Sequence, residues 1–267
     1  MAVNHTVQAI YKNMKKNLPE IIFEDENYLI INKPAGLIVH GGPGIKEEVL
    51  VDFLIKRYPK IKEVGDDILR PGIVHRLDKE VSGLMVIAKT KDAFENLKKQ
   101  FKNRDIHKEY LALVHGQINK DEEEINFPIK RARDGYKMAA IPFNSQKILT
   151  RENLKNRDVG NIQALAKARA AVTTFKVIKR FINFTYLSVK IKTGRTHQIR
   201  VHLHAYGHPL VGDNLYFTSK SKIKNKKINL GRIFLVANNL SFKDLSGEIK
   251  NFQIDLPLEL IDKMPKN

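Results

Sequence analysis

The sequence predicts an α+β fold: a mixed, mainly antiparallel sheet with flanking helices and loops. Three observations predict it. RAAVTTFKVIKR and NFTYLSVKIK alternate apolar and polar residues on either side of a short polar joint, the pattern of an antiparallel hairpin. LMVIAK, residues 84–89, is a short continuous apolar run of the kind found in a buried central strand. TKDAFENLKKQFKNR sets Phe94, Leu97 and Phe101 at helical spacing behind Thr90 as N-cap, with a basic opposite face.

The remaining elements follow in chain order. IIFEDENYLIINKPAGLIVH reads as two or three short strands broken at Lys33, Pro34, Ala35 and Gly36, where proline presets one dihedral and glycine accepts positive φ. GGPG, Gly41 to Gly44, is a flexible loop. IKEEVLVDFLIKRYP is a helix with Val49, Leu50, Phe53 and Leu54 on one face and Pro59 just beyond its end. KEYLALVHG returns to strand. From Asn119 to Ala170 periodicity dissolves into clusters such as DEEE and KRARDGYK, the expected irregular or inserted region. TGRTHQIRVHLHAYGHP offers Thr196 as N-cap, Ile199, Leu203 and Tyr206 as a buried stripe and Gly207 as a stop. RIFLVANNLSF and NFQIDL supply late strands.

The 267 residues contain no cysteine, which excludes disulfides and thiolate chemistry and fits a reducing compartment. No apolar run approaches the ~18 residues of a membrane span, and the first twenty residues lack both the apolar core of a secretory signal and the arginines of a transit peptide. The expectation is a cytoplasmic protein without a membrane partner, monomeric by default. Lys and Arg total 47 against 29 Asp and Glu, a formal charge of +18, which favours a polyanionic partner, nucleic acid before anionic membrane.

In VHRLDKEVSG one carboxylate, Asp78, lies in sequence between the cations Arg76 and Lys79, just ahead of the apolar strand. Neighbouring cations favour the ionised form, which suits a nucleophile or base better than a general acid. A surface ion pair is the alternative; the strand behind the loop and the glycine after Ser82 speak for a constrained backbone instead. In TGRTHQIRVH, Arg195 and Arg200 stand near a helix N-terminus, against the helix dipole, and so want an anion, carboxylate or phosphate. His197, His202, His204 and His208 include one i,i+4 pair, but no glutamate lies between its members and Arg200 sits inside the cluster, so no metal is assigned. Tyr110 in KEYLALVHG is either core packing or a ring that stacks on a base.

Taken together and in order, NKPAGLIVH, HRLDKEVSGLMVIAK, KEYLALVHG and TGRTHQIRVHL followed by GHPLVGDNLY resemble the RluA family of RNA pseudouridine synthases, from about Ile21 to Ile254. The resemblance implies a pseudouridine synthase catalytic domain over 21–267 with an insertion around 141–170. It also implies that 1–20 is an extension too short for a separate RNA-binding domain. It assigns catalytic parts to Asp78, Tyr110 and Arg200, with Arg200 as charge partner of the reacting carboxylate. Arg76 takes the space left by an extruded base, and His75, Arg195 and His197 are further substrate-binding residues. The implied reaction breaks the N-glycosidic bond of uridine, turns the uracil and forms a carbon–carbon bond; it exchanges no electrons, water or phosphate and implies no cofactor. The implied partner is RNA, ribosomal RNA favoured and transfer RNA possible. Val81 stands where the family usually has threonine, which leaves open a catalytically silent RNA-binding or ribosome-assembly factor on the same fold. A glycoside hydrolase would need two carboxylates flanking the bond, and only Glu80 is near Asp78.

Overall fold

A computed structural model of the protein describes residues 18–42, 44–142 and 168–266. Most of the expected insertion at 141–170 and of the extension at 1–20 lies outside the described residues. The strands in chain order are β1 (Glu20–Glu24), β2 (Tyr28–Lys33), β3 (Ser82–Ala88), β4 (His107–His115), β5 (Glu122–Ile125) and β6 (Ile129–Arg131). They continue as β7 (Met138–Ala140), β8 (Thr173–Arg180), β9 (Phe184–Ile191), β10 (Leu235–Lys243) and β11 (Ile249–Gln253). The α-helices are α1 (Leu50–Arg57), α2 (Lys91–Asn103), α3 (Gln198–Ala205), α4 (Ser219–Ile228) and α5 (Leu258–Ile261), with a 3-10 turn at Pro59–Glu63. The α+β expectation holds. No helix among the described residues is long and apolar enough to cross a membrane.

The chain divides into two compact units. The first runs to Lys108 and takes back Val236–Asp255. Its sheet is ordered β1-β2-β3-β10, with β11 on β10; the β3–β10 pair is parallel and the others antiparallel. Every residue of β3 is buried, as its unbroken apolar run requires. Thr90 caps α2 by accepting the Ala93 N–H at 3.3 Å, and Ala93, Phe94 and Leu97 are its buried stripe. Helix α1 begins at Leu50, later than the sequence pattern suggests, because Asp52 Oδ2 accepts the Val49 N–H at 2.9 Å and fixes the start there. Leu37–His40 forms no strand: the Ile38 and Val39 carbonyls accept from the Leu50 and Val51 amides instead.

The second unit spans Glu109–Leu235 with Leu256–Asn267. Its antiparallel sheet is ordered β4-β9-β8-β5, the expected β8–β9 hairpin at its centre with a register shift between Val177 and Lys179. Phe175, Leu187, Val189 and Leu203 are fully buried in it. The stretch read as irregular is more ordered than expected. Glu122–Ile125 of the DEEE cluster pairs with β8, and Ile129–Arg131 pairs with Met138–Ala140. These strands are three or four residues long, too short to show a period against their charged composition.

Candidate active site

The first unit carries the Asp78 loop. Lys33, at the end of β2, is fully buried, and its Nζ donates to three backbone carbonyls: Pro34 at 2.9 Å, Leu37 at 2.8 Å and Lys79 at 3.3 Å. The Gly36 N–H reaches the same Lys79 carbonyl at 2.7 Å. The turn of NKPAG is thereby tied to the residue after Asp78 by an ammonium group. On the far side of the loop the Val81 N–H donates to the Asp78 carbonyl at 3.1 Å. Gly83 then enters β3 at φ +123, beside Ala237; a Cβ there would lie 2.3 Å from the Ala237 carbonyl oxygen, so the parallel pairing of β3 with β10 demands glycine. Val81 is 3% exposed, an apolar side chain in an apolar place. The absent threonine hydroxyl thus falls where burial favours valine.

His75 packs between β3 and α2. Its Nε2 accepts the Val86 N–H of β3 at 3.1 Å and its ring stacks on Phe101 of α2 with centroids 4.8 Å apart. Burial first, and the nearby Lys108 second, push its imidazole down to about 3, so it is neutral and keeps the acceptor that Val86 needs. Lys108 sits 5.0 Å over the other part of this stack, the Phe101 ring, and burial lowers its ammonium to about 8.

The two cations flanking Asp78 in sequence are turned to other partners. Lys79 Nζ pairs with Glu47 Oε2 at 2.8 Å. Arg76 is exposed and its Nη1 donates to His40 Nε2 at 2.9 Å. The Nδ1 of His40 lies 2.9 Å from the Gly41 carbonyl and so carries the proton, which leaves Nε2 as the acceptor that Arg76 requires. His40 is thus a site residue that sequence reasoning missed. Its signal was present in the last letter of NKPAGLIVH but nothing local to that segment names an arginine 36 residues away.

The second unit carries the other motif residues. Tyr110 is buried in β4, opposite Val189 of β9. Arg200 of α3 is held by a carboxylate of its own unit: Nε and Nη2 donate to Asp213 Oδ2 and Oδ1 at 2.8 and 3.0 Å, both residues buried. Asp213 Oδ1 also accepts the Leu215 and Tyr216 N–H groups at 2.8 and 3.0 Å, so the carboxylate is fixed by the GDNLY turn that contains it. This partner, too, was missed, because GDNLY reads as an ordinary polar turn. The Arg200 guanidinium lies 5.2 Å over the Tyr216 ring. The Tyr216 hydroxyl accepts the Met138 N–H at 2.8 Å and is hydrogen-bonded to His197 Nδ1 at 2.9 Å.

The helix cap differs from expectation. Thr196 is not the N-cap; His197 is, in left-handed backbone at φ 55, without a side-chain cap bond. Gln198 takes over the job. Its Oε1 accepts the Arg195 N–H at 3.1 Å and the Thr193 hydroxyl at 2.7 Å, and its Nε2 donates to the Val172 carbonyl at 3.0 Å. Arg195 Nε donates to the Ala170 carbonyl at 3.2 Å.

The other histidines of this segment face protein oxygens. His204 Nε2 lies 3.3 Å from the Phe217 carbonyl and His208 Nδ1 3.0 Å from that of His115. Among the described residues no group of three or more His, Asp or Glu could hold a metal. His202 is fully buried between Thr173 Oγ1 and the Phe127 carbonyl, and burial pushes it down to about 4. A histidine depressed in the fold binds its proton more readily when unfolded, so this contribution to stability is present above the ordinary imidazole value and is lost as pH falls towards 4. Between pH 7 and pH 5 the loss is expected to be about 2 kcal/mol. Urea unfolding of the wild type and of His202→Gln at the two pH values checks it: the variant should lose that much less stability between them, while the share of His75, which burial depresses as well, remains.

The RNA pseudouridylate synthase family profile matches residues 27–205. An uncharacterized RNA pseudouridine synthase of Synechocystis is 39% identical over 237 residues, which is 88% of this chain and 64% of the relative's length. This chain therefore spans somewhat less than two thirds of that relative. The ribosomal large subunit pseudouridine synthase D of Buchnera aphidicola from Acyrthosiphon pisum is 34% identical over 98% of this chain and 79% of its own length. Among solved structures, human RNA pseudouridylate synthase domain containing 4 aligns over 98% of both chains with a TM-score of 0.65 at 24% identity, a likeness of fold.

Proposed function

The chain belongs to the RNA pseudouridylate synthase family, and from that premise we propose that it isomerises one or a few uridines of structured RNA, ribosomal large-subunit RNA before transfer RNA. The observation that carries this reading is the Asp78 loop, a carboxylate-bearing turn held at one end by a buried ammonium and at the other by a glycine that only a tight parallel strand pair requires. Such a scaffold fixes one acid within a narrow range of positions, which is what reaction at a single ribose carbon needs. In this proposal the uridine is flipped out of the stack at a cost of a few kcal/mol, and Arg76, parked on His40, moves into the vacated space. Asp78 either attacks C1′ or removes a ribose proton; N1–C1′ breaks, C5–C1′ forms with release of Asp78 or return of its proton, C5 gives up a proton and N1 takes one up, so the product is an isomer and atoms balance with no second reactant. Tyr110 and Arg200 complete the catalytic set, Asp213 setting the plane of the Arg200 guanidinium. His75, the further substrate-binding residue of this reading, is held by Val86 and Phe101. Arg195 and His197 serve the RNA strand.

The name of the Buchnera relative supports ribosomal RNA. The experiment is incubation of the purified protein with transcripts of large-subunit ribosomal RNA and of transfer RNA, followed by nucleoside mass spectrometry. Pseudouridine is expected in the ribosomal transcript; its absence from both would overturn the reading. RNA affinity should be steeply salt-dependent. Helix α4 alone presents Lys220, Lys222, Lys224, Lys226 and Lys227. Each phosphate neutralised contributes about 0.7 to 0.9 to the log–log slope, so replacing all five by glutamine should lower the slope by up to about 3.5 to 4.5 in a filter-binding titration.

A further inference from the structure

Helix α4 is joined to its unit by polar side chains. Its buried residues are Ser221 and Asn225, while Ile223 is 60% exposed. A helix without a buried apolar stripe is not seated by hydrophobic packing, so its hydrogen bonds must account for its place. Ser221 serves the start of the helix itself: its Oγ accepts the Thr218 N–H at 2.9 Å and its N–H donates to Thr218 Oγ1 at 3.2 Å. Asn225, one turn on, reaches out of the helix. Its Oδ1 accepts the Gly212 N–H at 3.0 Å and its Nδ2 donates to the Asp213 carbonyl at 3.2 Å. These two backbone bonds fix which end of the amide is oxygen and which is nitrogen. Oδ1 is then the acceptor towards His115 Nε2 as well, 2.7 Å away, so that nitrogen carries the ring proton. His115 is buried, its Nδ1 has no partner among the described residues, and burial pushes its imidazole down, so the ring stays neutral and donates to Asn225.

The turn gripped in this way is the one that holds Arg200. On its upstream side the sheet fixes Val211, whose N–H donates to the Leu113 carbonyl at 2.9 Å and whose carbonyl accepts the Phe234 N–H at 2.9 Å. Gly212 follows at φ +80, where a Cβ would lie 1.9 Å from the Arg232 carbonyl oxygen, so only glycine makes this bend. On the downstream side the Asp213 carboxylate takes both arms of the Arg200 guanidinium. Between the two, the Asn225 amide brackets Gly212 and Asp213, one bond to the N–H of the first and one to the carbonyl of the second. We propose that Asn225 is a positioning residue of the isomerisation: it sets the backbone of Asp213 and, through that carboxylate, the place of the Arg200 guanidinium. This rests on the reading that Arg200 serves uridine isomerisation. Loss of Asn225 should then slow the reaction without weakening RNA binding much, because Lys220, Lys222, Lys226 and Lys227 lie on the exposed part of α4 and not in the turn.

The test measures kcat and KM on the large-subunit ribosomal RNA transcript, together with the Arg200 Nε–H resonance in heteronuclear NMR of the full chain carrying isotope-labelled arginine. Asn225→Leu keeps the volume and removes the bonds to Gly212, Asp213 and His115. Its kcat is expected to fall about thirtyfold with KM within about threefold of wild type, and the Arg200 Nε–H to shift and to exchange faster with water. Ser221→Ala is the control. It loosens the start of the same helix, and should keep kcat within about twofold and the Arg200 resonance in place. If Asn225→Leu does not fold, Asn225→Ala, which leaves room for a bridging water, is read in the same way in the cold, with a loss of about tenfold in kcat expected. An unchanged kcat, a loss of kcat with the Arg200 resonance unmoved, or an equal loss in Ser221→Ala would each overturn the positioning role. Wild-type turnover on the same transcript separates the two readings: none removes uridine isomerisation itself, while turnover that Asn225→Leu leaves undiminished removes the role of Asn225 alone.

Discussion

Asp78→Ala is expected to reduce uridine conversion at least about ten-thousandfold while leaving RNA affinity within about threefold of wild type. The split follows from where the two functions reside. Conversion needs a carboxylate at the ribose, and alanine leaves nothing to attack or to accept a proton. Affinity comes from the cationic surface, which the substitution does not touch. The loop itself should stay in place because its anchors are main-chain atoms: the Lys79 carbonyl held by Lys33 and Gly36, and the Asp78 carbonyl held by the Val81 amide. Single-turnover conversion and filter binding on the same preparation measure both quantities. A variant that lost binding and conversion in parallel would place Asp78 in the RNA interface rather than at the reacting bond.

Lys33→Met should cost about 3 to 5 kcal/mol of stability, a drop of roughly 10 °C in the unfolding midpoint. Methionine fills much the same volume but donates nothing, so the Pro34, Leu37 and Lys79 carbonyls lose a charged donor in a buried place. Burying an ammonium is itself costly, and this offsets part of the loss. The effect on the reaction should exceed what stability explains. At a temperature where the variant is fully folded, kcat is expected to fall about a hundredfold, because the Lys79 carbonyl is the fixed point next to Asp78 and a displacement near 1 Å is enough for that. Urea unfolding with kinetics at 15 °C separates the two; an unchanged kcat would show that the Gly36 amide alone holds the loop.

The elements legible in the sequence were those whose burial is one-sided or complete. The β3 run, the β8–β9 hairpin and the α2 stripe with its Thr90 cap all declare themselves by period, and they form where expected. Strands β5 to β7 did not, because three or four residues of mixed charge have no period to read, and their pairing comes from the strands beside them. At the site the same division holds. Asp78, Arg76, Tyr110 and Arg200 stand in motifs and are visible singly. The contacts that set them are long-range, His40 to Arg76 across 36 residues and Lys33 to the Lys79 carbonyl across 46. Local physics also misled at one point. Arg76 and Lys79 flank Asp78 in sequence, yet each is turned to a partner of its own, Arg76 to His40 and Lys79 to Glu47, which lie far from the loop in sequence. The cap at His197 instead of Thr196 has a similar origin: the Gln198 side chain, tied to Thr193 and Val172, sets the helix start from inside the core.

The central claim is that this chain makes pseudouridine through Asp78. The most direct measurement is carbodiimide-based pseudouridine mapping of total RNA from cells carrying the wild-type protein, cells carrying Asp78→Ala, and cells lacking the gene. The account predicts that one or a few uridines, foremost in large-subunit ribosomal RNA, lose the modification in both altered strains and in no wild-type sample. An unchanged map in both strains, with the protein still binding RNA in a salt-dependent way, would contradict it.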